Sequence, residues 1–255
     1  MRILFYDIET TPLRAWVWRM GEQVVRHSQL DPQYSMYDII CITYCWNDGG
    51  PVKSLDWGYL QQDSSKMIEQ FDALVKQADV TLGKNSDRFD VKHINTQRLL
   101  HGLTPMPDWS MYTEDLEKQI RRHFALPSNS LDYLSNLLGE GGKNPMQFQD
   151  WIDIVEQHPK RGRAAFKKMI EYGIKDTADT RALWDKVAPY ITPKWNMNVD
   201  SEGEKLCKHC GSSRIIPDVV RTAGAARFQT YHCKEHNGYA GRARLKKGGR
   251  IGRIT

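Results

Sequence analysis

Residues 1–13 read MRILFYDIETTPL, and this stretch decides the fold. The apolar run before Asp7 has the character of a strand, and it ends in two carboxylates, Asp7 and Glu9. Strand side chains alternate with a period of two, so Asp7 and Glu9 project to the same side. Like charges placed so close repel each other, and in apolar surroundings each also loses hydration. A bound divalent cation removes both penalties. The pair is therefore a candidate cation site at the end of a sheet strand.

Outward from that strand, Ile39 to Trp46 (IICITYCW) reads as a second strand, Asn47 to Gly50 as a turn, and Val52 to Trp57 as a returning third strand. Met67, Ile68, Phe71, Leu74 and Val75 recur at helical spacing, Asp79 to Leu82 is a short strand, and Phe89 to His101 is helical again. Tyr112 to Phe124, Ser130 to Leu138 and Phe148 to Gln157 read as short helices, and Arg163 to Val187 as one long helix. Strands interleaved with helices imply an α/β sheet covered on both faces. Around residues 191–199 the pattern fails, and Pro193, Asn196 and Asn198 have the character of a linker. The expected division is a domain over residues 1–193 and a smaller one over residues 200–255.

Two further stretches join Asp7 and Glu9. In NSDRFD, residues 85–90, a strand meets a helix, and in YGIKD, residues 172–176, Tyr172 and Asp176 lie one helical turn apart on one face. Each alone has a bland explanation: a helix-capping Asp for the first, plain helix surface for the second. Together, three carboxylates and a phenol can converge on Asp7.

In that order and context the motifs DIET, NSDRFD and YGIKD resemble those of the DEDD exonucleases of the subclass with a tyrosine in the third motif. The stretches DRFDVKHINTQRLLHGL, SLDYLSNLLGEGGK and MIEYGIKDTADTRALW are similar to stand-alone, often phage-encoded, relatives of the proofreading domain of B-family DNA polymerases. The likeness covers roughly residues 1–190. Lys84 and Ser86 depart from it, where relatives often carry His and Gly. The resemblance implies a ribonuclease H-like mixed sheet flanked by helices, and 3′→5′ hydrolysis of DNA to nucleoside 5′-monophosphates with two Mg²⁺ or Mn²⁺ ions. By the same resemblance Asp7 bridges both ions, Glu9 and Asp176 hold the ion that binds the attacking water, and Asp90 acts through water on the second ion. Tyr172 positions the water, Thr10 lies near the 3′ hydroxyl, Leu13 wedges beside the terminal base, and Asn85 orients Asp90 or a phosphate.

The chemistry stands without the family. Phosphodiester hydrolysis needs charge neutralisation, an activated water and a stabilised leaving oxygen, and two hard cations held by a few carboxylates supply all three. A phenol with a pKa near 10 is a poor base at neutral pH, so Tyr172 suits positioning rather than deprotonation. Trp16 and Trp18 are candidates for stacking on unpaired bases, or for plain core packing. Arg121, Arg122 and His123 form a basic cluster, the ordinary pattern of a solvated helix face.

The chain's net charge of +5 is uneven: residues 201–255 hold twelve Lys and Arg against four Asp and Glu, +8, which leaves −3 for residues 1–200. A basic tail on a slightly acidic body points to a polyanionic partner, here single-stranded DNA or duplex 3′ ends. Cys207-Lys-His-Cys210 and Cys233-Lys-Glu-His236 have the spacing of two metal-binding knuckles, and strand-like RIIPDVV and RFQTYHC lie between them. Four such ligands close a tetrahedral Zn²⁺ site and make it structural. His209 and His232 compete with His236 for the fourth position. The pattern resembles a zinc ribbon. Cys41 and Cys45 sit in an apolar strand, as small buried thiols do.

Ordinary apolar (40%) and charged (26%) contents indicate a globular protein, and no apolar run approaches the roughly 20 residues that span a bilayer. A soluble, cytoplasmic protein of a bacterial or phage-infected cell is expected, with no membrane partner. The rival readings are an RNA-trimming exonuclease with the same site and a non-catalytic nucleic-acid adapter. The retention of every carboxylate and of Tyr172 argues against the adapter.

Overall fold

The first strand, β1 (Ile3–Thr10), is buried on both sides from Ile3 to Tyr6 and opens to solvent only at its C-terminal end. That burial explains why its apolar run is continuous rather than alternating. The computed structural model describes residues 2–105, 112–139, 141, 145–191, 205–245 and 251–254. They form two units: Arg2–Glu117 with Ser130–Arg181, and Lys118–Asn129 with Ala182–Thr255. Pro193, Asn196 and Asn198, the expected linker, lie outside the described residues.

In the larger unit β1 is the centre of a five-stranded sheet. The other strands are β2 (Ile39–Trp46), β3 (Lys53–Asp56), β4 (Val80–Gly83) and β5 (Tyr112–Asp115), in the order β3-β2-β1-β4-β5. β2 runs antiparallel to β1 and β3, while β4 and β5 run parallel to β1. This is the expected α/β mixed sheet flanked by helices. One element differs: residues 112–115 are a strand, not the start of a helix. Four polar-edged residues (YTED) carry too little periodicity to announce a strand, and pairing with β4 overrides local preference.

Helix α1 (Ser65–Val75) places Met67, Ile68, Phe71 and Val75 on one stripe, all buried. Phe71 meets the Tyr6 ring at 5.3 Å. Fully burying a side chain of this size contributes about 1.5–3 kcal/mol. Helix α2 (Asp90–Leu100) is tied to α1 by a buried ion pair in which Arg98 Nε donates to Asp72 Oδ1 at 3.0 Å. Helices α3 (Leu116–His123), α4 (Leu131–Leu137) and α5 (Phe148–Val155) follow, then the long α6 (Gly162–Val187).

α6 lies on β2 through Gly173. Thr43 Oγ1 donates to the Gly173 carbonyl at 2.9 Å and lies 2.7 Å from Thr177 Oγ1. A Cβ on Gly173 would stand 3.0 Å from the Thr43 methyl, so the helix approaches this closely only because residue 173 has no side chain. Thr43 is in turn the register partner of Asp7. A glycine contact on one strand thus sets the part of α6 beside Asp7 on the next.

The smaller unit is built differently. β6 (Ile215–Ala223), β7 (Ala226–Cys233), β8 (Gly238–Leu245) and β9 (Ile251–Ile254) form an antiparallel sheet in sequence order. Around this sheet Cys207, Tyr231, Cys233, Ala240 and Ala243 form one small buried cluster. Among the described residues no helix is long and apolar enough to cross a membrane.

Candidate functional site

The open end of β1 carries Asp7, Glu9 and Thr10, each half-buried. Asp7 and Glu9 share a side because they are two residues apart, and the register shifts between Glu9 and Thr10, where the regular ladder ends. α6 brings Asp176 over them. One carboxylate oxygen from each of Asp7, Glu9 and Asp176 lies within 4.8 Å of the others. Cis and trans oxygen pairs around an octahedral Mg²⁺ with arms near 2.1 Å stand about 3 and 4 Å apart, so the donor set fits a hard cation.

Tyr172 is half-buried one turn before Asp176. Burial, then the Asp176, Glu9 and Asp7 carboxylates, hold its phenol well above its ordinary range. It is a proton donor at any physiological pH, suited to orienting a water and unsuited to acting as a base.

Asp90 takes another position. It begins α2 and is buried, and its Oδ1 accepts from the Ile8 backbone N–H at 3.2 Å. Burial raises its pKa to about 7, against the lowering effect of backbone N–H groups and Lys84, and Asp115 pushes it further up. The structure thus brings Asp7, Glu9 and Asp176 into one cluster and sets Asp90 against the peptide that joins the first two.

Asn85 adopts a left-handed backbone, φ 62°. Its N–H donates to Asp115 Oδ1 at 3.0 Å, and the Asp87 N–H to Asp115 Oδ2 at 3.4 Å. Asp115, buried at the end of β5, therefore caps the turn that delivers Asp90. Sequence reading missed Asp115, as it missed Thr43 and Gly173. The signal for Asp115 was an acid ending a short strand, hidden by the helical reading of that stretch. Gly173 sat inside the quoted YGIKD motif.

Leu13 lines a cleft of about 380 Å³ with Tyr34, Phe148 and Ile152. Trp16 and Trp18 are 72% and 100% exposed, so neither belongs to the core. Arg121, Arg122 and His123 are exposed on the last turn of α3.

In the smaller unit Cys207, Cys210, Cys233 and His236 offer ligand atoms that all lie within 4.8 Å. Cys207 Sγ is 3.0 Å from His236 Nε2, and Cys210 Sγ is 3.7 Å from Cys233 Sγ. A tetrahedron with Zn–S arms of 2.3 Å has edges of about 3.8 Å, so the set is consistent with a structural zinc. Cys210 and Cys207 share a hydrogen bond that pushes the Cys210 thiol up to about 12, with burial adding to it, and holds Cys207 below its usual value. Of the rival histidines, His232 turns its Nε2 to Asn237 Oδ1 at 3.0 Å. His209 is buried with its ring 5.2 Å from that of His236, outside the four-ligand cluster.

No family model matches the chain, and no curated protein matches it. Among solved structures the chain is similar to the family B DNA polymerase from the hyperthermophilic archaeon Pyrobaculum calidifontis. The TM-score is 0.51 at 17% identity, over 74% of this chain and 24% of the polymerase. At that identity the likeness carries the fold. The chain spans about a quarter of the polymerase's length.

Proposed function

We propose that the chain is a metal-dependent 3′→5′ exonuclease that removes nucleoside 5′-monophosphates from DNA ends. The observation that carries this reading is the convergence of Asp7 and Glu9 from a strand with Asp176 from a helix, all within 4.8 Å. The likeness to a region of a family B DNA polymerase supports it. Mg²⁺ or Mn²⁺ ions supply charge neutralisation at the phosphate and an acidified water. Asp7, Glu9 and Asp176 would hold such ions directly, with Asp7 shared between two of them, and Asp90 would act on the second through water. The Tyr172 hydroxyl orients the attacking water, whose oxygen bonds to phosphorus as the bond to the penultimate O3′ breaks and that oxygen takes a proton. Thr10 sits at the terminal 3′ hydroxyl, Leu13 presses on the last base, and Asn85 holds the Asp90 turn. Residues 1–193 form the catalytic domain. Residues 200–255 form a zinc-held ribbon that adds affinity for the strand.

The test is incubation of the purified chain with 3′-labelled and 5′-labelled DNA and RNA oligomers, with Mg²⁺ present or omitted. Release of labelled mononucleotide from the 3′ end of DNA alone, only with Mg²⁺, supports the reading. Faster release from RNA makes the chain a ribonuclease with the same site. Cutting of a sealed single-stranded circle overturns the assignment of Thr10 and Leu13.

A further inference from the structure

Pairing within the C-terminal sheet sorts its side chains onto two faces. Tyr231, Cys233 and Ala243 point into the small cluster around the metal ligands and are buried. The offset set, Phe228, Thr230 and His232 of β7, points the other way. Arg221 and Arg244 stand opposite Phe228, Arg242 opposite Thr230, and Tyr239 opposite His232. This second face therefore gathers three exposed arginines around the half-buried rings of Phe228, His232 and Tyr239. The Arg242 guanidinium lies 4.5 Å above the Phe228 ring, and Lys208 Nζ 5.6 Å from that of Tyr239. Arg221, Arg242, Phe228 and Tyr239 line a cleft of about 410 Å³. The one carboxylate in its lining, Asp218, accepts from Thr230 Oγ1 at 3.4 Å.

We propose that this face binds single-stranded nucleic acid, with Arg221, Arg242 and Arg244 on successive phosphates and an unpaired base stacked on Tyr239. The proposal rests on reading the chain as a nucleic-acid enzyme and names where its ribbon grips. Guanidinium groups match phosphate in geometry and charge, and each pairing releases counterions. Aromatic rings set among them take the flat face of any base. An acidic peptide would engage the arginines but would leave the rings unused. A duplex would meet the arginines but cannot lower a paired base into the cleft. The ligand cluster packs on the face opposite the arginines, so these can be changed without touching it, whereas the Tyr239 ring meets His209, beside ligand Cys210, at 6.5 Å, so its variants are read together with zinc content.

The experiment is a salt titration of a fluorescent oligothymidylate against the full, zinc-loaded chain, without added Mg²⁺ and without chelator. Each lost phosphate pairing lowers the slope of log K against log salt by about 0.7 on a single strand, so changing Arg221, Arg242 and Arg244 together to Ala lowers it by about 2. Tyr239→Ala weakens binding about tenfold at every salt concentration and keeps the slope, while Tyr239→Phe restores affinity. Zinc content equal to that of the original chain establishes that each variant is folded. A triple variant with the original slope overturns the proposal. So does equal affinity for duplex and single strand, or tighter binding of an acidic peptide than of the oligonucleotide. Hydrolysis is read separately: a chain that binds through these arginines yet releases no mononucleotide with Mg²⁺ removes the proposed reaction and keeps this face. One that releases mononucleotide while the triple variant keeps its slope removes the face and keeps the reaction.

Discussion

The two candidate metal centres solve opposite problems. Asp7, Glu9 and Asp176 stand on a sheet and helix already held by Leu4, Tyr6, Phe71, Met169 and their neighbours. Those residues fix the carboxylates where mutual repulsion opposes them. Cys207, Cys210, Cys233 and His236 have less such support within their own sheet, where the buried residues clustered with Cys207 and Cys233 are Tyr231, Ala240 and Ala243. In the first unit the fold makes the site, and in the second the site makes the fold. Donor chemistry follows the same division. Carboxylate oxygens leave room for water and substrate on a hard cation, whereas thiolate and imidazole close the shell of a soft one.

The comparison fails most visibly if the smaller unit survives without metal. Stripping zinc, or changing Cys207 and Cys210 to Ser, is expected to unfold the C-terminal sheet, since structural zinc in small domains contributes about 10–16 kcal/mol of apparent folding free energy. Amide exchange of β7 and β8 measures this, with the five-stranded sheet as internal control. Persistent protection of β7 and β8 in the metal-free protein would show that hydrogen bonding and the few buried residues suffice.

Removing a donor from the other centre is expected to spare the fold. On the proposed reaction, Asp7→Ala would remove the ligand shared by both ions and should lower hydrolysis by about a thousandfold or more, a barrier increase of several kcal/mol. Its melting temperature should match the original chain or exceed it, because one member of a repelling cluster is gone. A variant that unfolds would mean that Asp7 holds structure and would collapse the contrast.

How much of this was legible depends on how local each cause is. The knuckle pairs were readable because ligand spacing within a turn is local chemistry. β1 and β2 were readable because continuous apolar runs of β-branched and aromatic residues have few other homes. β5 was not, because YTED is a strand only by virtue of β4 beside it. Asp115, Thr43 and Gly173 were missed for the same reason: each acts on a residue far along the chain, through a register or a close approach that no window of sequence contains. Asp90 was legible as a member of the site but not in its setting. Nothing in RFDV indicates that its carboxylate would accept from the Ile8 peptide.

That setting gives a pH test. The Asp90 carboxyl titrates at about 7 in the folded chain against an ordinary 3.8. The folded state therefore binds this proton more tightly than the unfolded state. Its contribution to stability is complete below about pH 4 and is lost as pH rises through 7. Without added divalent cation, the larger unit should resist urea less at pH 8 than at pH 5. Asp90→Asn should remove most of that difference, on the order of 2–4 kcal/mol. Adding Mg²⁺ should stabilise both proteins at pH 8 through Asp7, Glu9 and Asp176, and the original chain more, because its charged Asp90 carboxylate gains a counter-charge. An identical pH profile for the two proteins would mean that the carboxylate is already compensated.

The smallest effect separates cysteines that hold the fold from a cysteine that only fills space. Cys41 is fully buried in β2, opposite Glu9, and burial lifts its thiol well above the usual range, with Glu9 and Asp7 adding to the shift. At neutral pH it is a small apolar side chain rather than a ligand. Cys41→Ala deletes one buried sulfur and leaves a void about the size of a methyl group, costing about 1 kcal/mol. Zinc per chain, measured after denaturation with a colorimetric chelator, should be unchanged, whereas Cys207→Ala should release it. Cys41 should also resist thiol reagents until the larger unit unfolds, while Cys210, exposed at the edge of its cluster, reacts once zinc is removed. A loss of zinc from Cys41→Ala would tie the two centres together energetically. It would also end the view that each unit carries its own metal chemistry independently.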